Sequence, residues 1–150
     1  MGRRFESAEA KPRMMMVDTT VWIDYFRDIQ SPQSNALERL ISKASMICMT
    51  DIILTEILQG VRSDDQLLKT RHLLQRVPCL TAKAPFTFIH AAELYRHCRK
   101  KGVTIRSTVD CLIAAVCLEN KVPLLHHDPD FDQLSKYCGL QKVNPSTILD

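Results

Sequence analysis

Four acidic residues from separate regions of the sequence combine a residue type and a predicted placement that suit metal-dependent chemistry. They are Asp18, Glu56, Asp110 and Asp128. Each follows a predicted strand or lies in the first turns of a helix next to one. In α/β proteins with parallel sheets, functional residues gather just beyond the carboxyl ends of the strands. We therefore expect the four acids to converge at one edge of a sheet.

Considered singly, each acid also has a purely structural explanation. Asp18 would make a good helix N-cap, Asp128 precedes a proline and suits a turn, and Glu56 suits an exposed helix surface. Asp110 lies three residues after Ser107, which is the spacing of a capping box. These explanations stay open for each acid alone, and only the set of four favours a common site.

The helix predicted from Ser107 onward favours a functional role for Asp110. Residues 107–118 have the sequence S-T-V-D-C-L-I-A-A-V-C-L, and Asp110 is the one charged residue among them. A helix that is apolar nearly all round must be buried, and an isolated buried carboxylate is costly unless it is paired or binds a metal ion. Converging carboxylates also repel one another and raise each other's pKa. A hard divalent cation relieves both effects, and oxygen ligands indicate Mg²⁺ or Mn²⁺ rather than zinc.

The elements that must position these acids alternate between short strands and helices. Strands are predicted at 14–17, 45–49, 78–81 and 122–126, with an edge strand at 140–143. Helices are predicted at about 20–27, 32–42, 51–61, 63–76, 85–101, 107–120 and 130–137. This alternation predicts an α/β fold with a parallel sheet covered on both faces. We expect one domain over residues 14–150, preceded by a flexible N-terminal extension at 1–13.

The composition argues against several other classes of protein. The chain has 150 residues, of which 45% are hydrophobic, and this suits one domain with a substantial core. No apolar run approaches the ~18 residues of a membrane-spanning helix, and residues 1–13 lack the apolar stretch of a secretory signal. We therefore expect a soluble, cytoplasmic protein.

The cysteines allow three interpretations: disulfides, a metal cluster or buried free thiols. They are Cys48, Cys79, Cys98, Cys111, Cys117 and Cys138. None belongs to a C-x-x-C pair, and most lie in apolar segments. Zinc sites and disulfide frameworks have characteristic local spacings that differ from these. We expect free thiols that pack as small apolar side chains.

Basic residues cluster in one segment although the net charge is only +3. Between Leu94 and Val109 there is no acid. The basic residues of this segment are Arg96, Arg99, Lys100, Lys101 and Arg106. Such a cluster can bind the phosphate backbone of a nucleic acid. The alternative is a solvated helix end, because cations there complement the helix dipole.

Four short motifs surround the acids. They are V-D-T-T-V-W-I-D at 17–24, T-E-I-L-Q-G at 55–60, V-D-C-L-I-A-A at 109–115 and P-L-L-H-H-D-P-D-F at 123–131. Their order and spacing resemble the PIN domain, and specifically the VapC-type ribonuclease toxins of type II toxin–antitoxin systems. The resemblance extends from residue 14 essentially to the C-terminus. It implies a flavodoxin-like fold, with about five parallel strands and helices on both faces of the sheet.

The resemblance also implies an activity, a cofactor and partners. The activity is endoribonucleolytic cleavage of structured RNA that depends on Mg²⁺ (or Mn²⁺). The partners are the RNA substrate (transfer, ribosomal or messenger RNA), a VapB-type antitoxin and a second copy of the chain in a homodimer. Carried over by position, the catalytic and metal-binding residues are Asp18, Glu56, Asp110 and Asp128. Thr20 matches the supporting hydroxyl residue that accompanies the first acid. If the chain is such a nuclease, we predict that the basic cluster contacts the RNA backbone through Arg96, Arg99, Lys100, Lys101 and Arg106.

Two rival hypotheses share parts of this pattern. A phospho-receiver domain has the same alternating elements, but it needs an acceptor Asp after the third strand, where this chain has Thr81 and Ala82. A PIN-like domain that acts only as an RNA-binding or scaffold module would not need all four acids. Cleavage of RNA with a divalent metal, and loss of cleavage with EDTA, distinguishes a nuclease from both.

Overall fold

A four-stranded parallel sheet lies at the centre of the computed structural model, which describes residues 14–150. Its strands are β1 (Met15–Val17), β2 (Ile47–Thr50), β3 (Cys79–Leu80) and β4 (Leu124–Leu125), in the order β3-β2-β1-β4. Every neighbouring pair is parallel, and Met16 pairs with Cys48 on one side and with Leu124 on the other. The predicted α/β class is therefore confirmed. The extension predicted at 1–13 lies outside the described residues.

Eight helices pack around the sheet within the described range. They are α1 (Thr19–Phe26), α2 (Pro32–Ser42), α3 (Asp51–Gly60), α4 (Asp64–Leu74), α5 (Phe86–Lys100), α6 (Thr108–Asn120), α7 (Pro129–Cys138) and α8 (Ser146–Leu149). Helices α5, α6 and α7 pack against one another, and α1, α2 and α8 form a second packed group. The first seven agree with the predicted helices to within about two residues, whereas α8 is too short to give a periodic pattern. In residues 14–150, none of the helices combines the length and apolar character needed to cross a membrane.

The edge strand predicted at 140–143 is reduced to a single bridge. Lys142 pairs with Leu124 in parallel, and Val143 N donates to Leu124 O at 2.9 Å. Pro145 follows two residues later, and a proline has no N–H with which to extend a ladder. The described residues thus form four strands and a bridge, slightly fewer strands than the five expected.

Polar side chains cap the helices that follow three of the strands. Asp18 follows β1 and caps α1, Thr50 ends β2 and caps α3, and Asp128 caps α7 after β4. Ser107 caps α6 in the same way. Because the strands are parallel, α1, α3 and α7 all begin at one edge of the sheet. The capping role considered for Asp18 is therefore real, and Asp128, for which a turn was considered, also caps a helix. Both carboxylates lie at this edge of the sheet.

Helix α6 is buried along most of its length, as its apolar sequence predicted. The side chains at 113–117 are at most 1% exposed, and they share one core with Trp22 of α1 and Phe131 of α7. Helix α6 also packs directly against α7. The core therefore holds the first turn of α6, which carries Asp110, in a fixed position.

Most cysteine side chains pack as predicted. Cys48, Cys98, Cys111 and Cys117 are buried free thiols. Cys79 departs from the expectation, because it is exposed on β3 at the edge of the sheet. The four buried thiols therefore belong to the hydrophobic core.

Candidate active site

Three carboxylates meet where α6 and α7 begin. Asp110 lies in the first turn of α6, Asp128 caps α7, and Asp130 lies in the first turn of α7. Each offers an oxygen to a group of atoms that all lie within 4.8 Å of one another. Asp110 and Asp128 were predicted from the sequence, whereas Asp130 was not. We call Asp110, Asp128 and Asp130 the acidic triad.

Asp18 and Glu56, the other two predicted acids, lie close to the acidic triad. Their charges raise the pKa of Asp110, although neither belongs to the 4.8 Å group found among the described residues. Asp18 is only 3% exposed. Glu56 Oε1 accepts a hydrogen bond from Thr19 Oγ1 at 2.7 Å, which ties α3 to the start of α1. The fold thus brings all four predicted acids to the same region. Within it, the three acids of the acidic triad lie nearest to one another.

Thr20, the predicted supporting residue, contacts the Asp18 carboxylate. Its Oγ1 donates to Asp18 Oδ2 at 2.6 Å, and its backbone N donates to the same oxygen at 3.2 Å. The Thr20 hydroxyl oxygen also accepts from His127 N at 3.2 Å. Thr20 therefore connects the end of β1 with the loop between β4 and α7, which leads to Asp128.

Burial, together with neighbouring negative charge, raises the pKa values of two acids of the site. Burial raises the pKa of Asp18 to about 6, even though hydrogen bonds from Thr20 lower it. Burial raises the pKa of Asp110 to about 7, and the charges of the other four acids add to the rise. No hydrogen bond from the described residues opposes the rise at Asp110. Asp110 is therefore the acid that a bound cation would stabilise most.

One basic side chain reaches the acidic triad from the loop before α6. Arg106 Nε donates to Asp130 Oδ2 at 3.1 Å, and Arg106 Nη2 donates to Asp128 Oδ1 at 3.2 Å. The backbone N of Arg106 also donates to Asp130 Oδ2, at 3.1 Å. The sequence grouped Arg106 with the other basic residues of its segment. The structure separates it from them and places it on two acids of the site.

Asp130 is the acid that the sequence analysis missed. It is 7% exposed and accepts two hydrogen bonds from Arg106. In the sequence it marked only the start of the last predicted helix, where acids are common because they complement the helix dipole. The pattern D-P-D at 128–130 was a usable signal. A proline at the first helical position keeps both acids within one turn of the strand end.

The two histidines before Asp128 have different surroundings. His126 is buried, and its Nδ1 accepts a hydrogen bond from Asp128 N at 3.2 Å. Burial lowers the pKa of His126, so the neutral ring is well suited to this structural contact. His127 is exposed, and its Nδ1 lies 3.4 Å from Asp24 Oδ2. His126 therefore supports the loop, whereas the His127 ring is accessible to solvent.

The other four predicted RNA-binding residues are exposed on α5 and directly after it. They are Arg96, Arg99, Lys100 and Lys101, and we call them the basic patch. Arg96 and Arg99 line a cavity of about 290 Å³ whose walls include Thr108 and Cys111 at the start of α6. Arg96 and Arg99 of the basic patch therefore lie beside the first turn of α6, which carries Asp110.

The donor set of the site fits a hard divalent cation. Mg²⁺ and Mn²⁺ prefer carboxylate and water oxygens in octahedral geometry. The acidic triad supplies three carboxylates that can reach one point, and the negative charges of Asp18 and Glu56 also act on Asp110. A cation would also relieve the repulsion that raises the pKa of Asp110.

We expect the metal-free protein to be more stable at pH 5 than at pH 8. In the folded chain the pKa of Asp18 is about 6 and that of Asp110 is about 7, above the value of about 4 for an unfolded aspartate. Between these values the folded state binds more protons than the unfolded state, so stability falls as the pH rises through this window. At pH 8, Mg²⁺ or Mn²⁺ should raise the melting temperature, because the cation binds the folded site and not the unfolded chain.

Melting curves at the two pH values, with EDTA or with excess metal, test this expectation. Asp110→Asn should remove much of the pH dependence and of the metal response. Asp65→Asn, at an exposed position on α4, is the matched control and should leave both unchanged. Two results would contradict the assignment of a metal site here. One is a metal-free protein that becomes more stable from pH 5 to pH 8, and the other is a melting temperature that neither metal changes.

The fold and the site together define a class of protein: a small α/β domain whose parallel strands lead into a cluster of carboxylates. The profile of the PIN domain family matches residues 15–137, and the chain belongs to this family. Among curated proteins it is similar to a VapC ribonuclease of Mycobacterium bovis, with 36% identity over 132 residues, 87% of this chain and 98% of the relative. Its similarity to ribonuclease VapC11 of Mycobacterium tuberculosis has the same identity and coverage.

Solved structures have the same fold. One is VapBC2 from Rickettsia felis bound to a DNA fragment from their promoter, with a TM-score of 0.69, 21% identity and coverage of 87% of this chain and 98% of that one. Another is VapBC-1 from nontypeable Haemophilus influenzae, with a TM-score of 0.67, 18% identity and coverage of 89% and 98%. At these identities the similarity establishes the fold.

Proposed function

We propose that the protein is a Mg²⁺-dependent endoribonuclease that cleaves structured RNA and acts as the toxin of a VapBC-type toxin–antitoxin pair. The observation that carries the proposal is the meeting of the acidic triad with Asp18 and Glu56 at one edge of the sheet. Membership of the PIN domain family and similarity to VapC ribonucleases support it. A phospho-receiver is disfavoured, because Thr81 and Ala82 follow β3 in place of an acceptor acid.

The residues of the site suit hydrolysis of a phosphodiester. A divalent cation held by the acidic triad would neutralise charge on the scissile phosphate and make a water molecule more acidic. Glu56, held by the Thr19 hydroxyl, would orient the attacking water or accept its proton. Asp18, held by Thr20, adds a further carboxylate that is buried in the site. Arg106 supplies N–H donors at the outer rim.

The direct test is cleavage of a structured RNA by the purified full-length chain. We expect cuts in single-stranded loops, where bases can be splayed out and contacted. Cleavage should require Mg²⁺ or Mn²⁺ and stop with EDTA, and the products should carry a 5′-phosphate and a 3′-hydroxyl. Sequencing the ends of RNA cut in cells after induction would identify the target. Binding of RNA without cleavage, at any metal concentration, would instead indicate a binding or scaffold module.

Removing charge from the basic patch should weaken RNA binding without affecting the metal site. We expect the triple change Arg99→Gln, Lys100→Gln and Lys101→Gln to flatten the slope of log affinity against log salt. Each lost phosphate contact should reduce the slope by about 0.7 to 0.9. Binding measured across a salt series checks this.

A second triple variant serves as the control for this comparison. Lys69→Gln, Arg71→Gln and Arg76→Gln remove the same charge from exposed positions on or just after α4. The slope should stay close to wild type in this variant. An unchanged slope in the basic-patch variant would mean that these residues do not contact RNA and only form a solvated helix end.

We further propose that the protein acts in the cytoplasm as a homodimer and is blocked by a VapB-type antitoxin. The solved relatives described as VapBC complexes support such a partner. Phe86, Phe88 and Ile89 expose apolar side chains at the start of α5, and an apolar surface of this kind suits contact with a second copy. Mass measurement in solution, with Phe86→Ser as the variant, tests the dimer.

A further inference from the structure

Arg106 joins two acids of the triad without using all of their oxygens. Its guanidinium and backbone N contact Oδ1 of Asp128 and Oδ2 of Asp130. Asp130 N also donates to Asp128 Oδ1, at 2.9 Å. In the part of the chain that the structure describes, Asp128 Oδ2 and Asp130 Oδ1 accept no hydrogen bond. One oxygen of each carboxylate therefore stays available for another ligand.

The main chain holds Arg106 at this place. Ile105, the preceding residue, is 2% exposed, and Ser107, the following residue, caps α6 by accepting from Val109 N at 3.2 Å. The Arg106 side chain itself is 70% exposed. Its remaining N–H donors, on Nη1 and Nη2, have no partner within residues 14–150. The guanidinium therefore binds two acids while keeping donors open to solvent.

We propose that Arg106 is a positioning residue for the metal site and that its free donors bind the RNA phosphate there. It holds Asp128 and Asp130 by one oxygen each, so that their opposite oxygens and Asp110 can hold a divalent cation together. An arginine fork binds two oxygens of a phosphate in the same way as two oxygens of a carboxylate. The phosphate contact rests on the proposed function, whereas the positioning of the acids does not.

A simple counter-ion would behave in the opposite way. If Arg106 only neutralised the acids in the absence of metal, a cation would have to displace it, and removing it would tighten metal binding. If Arg106 orients the carboxylates, removing it lets them rotate away from the cation. Partners that orient metal ligands contribute about 10- to 100-fold to affinity. The direction of the change in metal affinity therefore separates the two roles.

Calorimetric titration of the full-length chain with Mn²⁺ tests the positioning role. We expect Arg106→Gln to weaken Mn²⁺ binding by about tenfold or more, although it removes a repelling positive charge. Arg106→Lys should recover at most part of the loss, because an ammonium is a point charge and cannot form the planar fork. Arg76→Gln, which removes the same charge at an exposed position after α4, should bind Mn²⁺ like the wild type.

The outcomes of this titration are distinct. Unchanged or tighter binding in Arg106→Gln overturns the proposal, and so does full recovery in Arg106→Lys, since charge alone would then explain the effect. Melting curves of the metal-free variants show whether each is folded. If Arg106→Gln does not fold, the comparison of Arg106→Lys with wild type decides the question.

Cleavage kinetics at saturating Mn²⁺ test the phosphate contact. We expect Arg106→Gln to raise the KM for RNA several-fold and Arg106→Lys to restore part of it, because lysine also binds phosphate. An unchanged KM in both variants overturns the phosphate contact. If the wild type cleaves no RNA, the proposed function fails, but the Mn²⁺ titration still decides whether Arg106 positions the acids.

Discussion

Replacing Asp110 by asparagine should lower the rate of RNA cleavage by about 10³-fold or more while the protein stays folded. Asp110 combines burial with the charges of four neighbouring acids, and no hydrogen bond from the described residues compensates it. A neutral amide is a weaker ligand than a carboxylate for a hard cation, so the site would lose metal. The same change removes a repelling charge, which should leave the metal-free fold at least as stable as the wild type.

Single-turnover cleavage of a structured RNA with excess protein measures this loss, and melting curves confirm the fold. Asp18→Asn should be similarly inactive, yet asparagine is as good an N-cap as aspartate and should still accept from Thr20 N. Both variants should also relieve growth arrest when expressed. Asp65→Asn on α4 is the control and should cleave normally. Cleavage near the wild-type rate in either site variant would show that the metal-site assignment is wrong.

The sequence predicted most of the fold because the local signals and the packing agree. Helix α6 is the clearest case: its apolar residues at 113–117 predicted burial, and they are at most 1% exposed. The acids Asp18 and Asp128 could be placed because each follows a strand, and the ends of parallel strands lie at one edge. Hydrophobic periodicity did not predict that the segment 140–143 forms only a bridge. The pairing stops there because Pro145, which has no N–H, follows closely.

The contacts inside the site were beyond the reach of sequence patterns. Arg106 and Asp130 are 24 residues apart, and their hydrogen bonds form only when α6 and α7 begin side by side. In the sequence, Arg106 belonged to a basic segment that otherwise lies exposed on α5. Charge clusters in a sequence show where cations are, but only the tertiary structure shows which of them already have an acid as partner. Asp130 looked like an ordinary first-turn acid in the sequence, although the pattern D-P-D at 128–130 was a usable signal.

Binding of a small partner that carries a basic side chain should reduce RNA cleavage to background. Arg106 already contacts Asp128 and Asp130, so the negative charge left without a basic partner among the described residues is that of Asp110, Asp18 and Glu56. An arginine from a partner can pair with such carboxylates while excluding the cation. The partner should therefore compete with Mn²⁺, and its inhibition should weaken when the metal concentration is raised.

We expect a partner to approach this site through a cleft beside α1. It has a volume of about 720 Å³, and Tyr25, Phe26, Val61 and Leu73 are among the residues that line it. The ends of α1 and α3 line this cleft, Asp18 caps the start of α1, and Glu56 lies in α3. Helix α1 is 8 residues long, or about 12 Å. A segment lying in the cleft can thus reach the acids. Such a segment would fold upon binding, and the apolar area it buries would offset its ordering entropy.

Co-expression with the product of the adjacent small open reading frame tests this prediction. The two chains should co-purify without cleaving RNA, and alanine substitution of the partner's basic residues should restore cleavage before the complex dissociates. Phe26→Ser should weaken the complex but leave the Mn²⁺ response of the free protein unchanged, whereas Leu68→Ser, at an exposed apolar position on α4, serves as the control. If no neighbouring product binds, and if the chain expressed alone leaves growth and RNA intact, the toxin assignment fails. Cleavage of RNA in vitro would then still support a nuclease, because that activity depends on the acids of this chain and not on a partner.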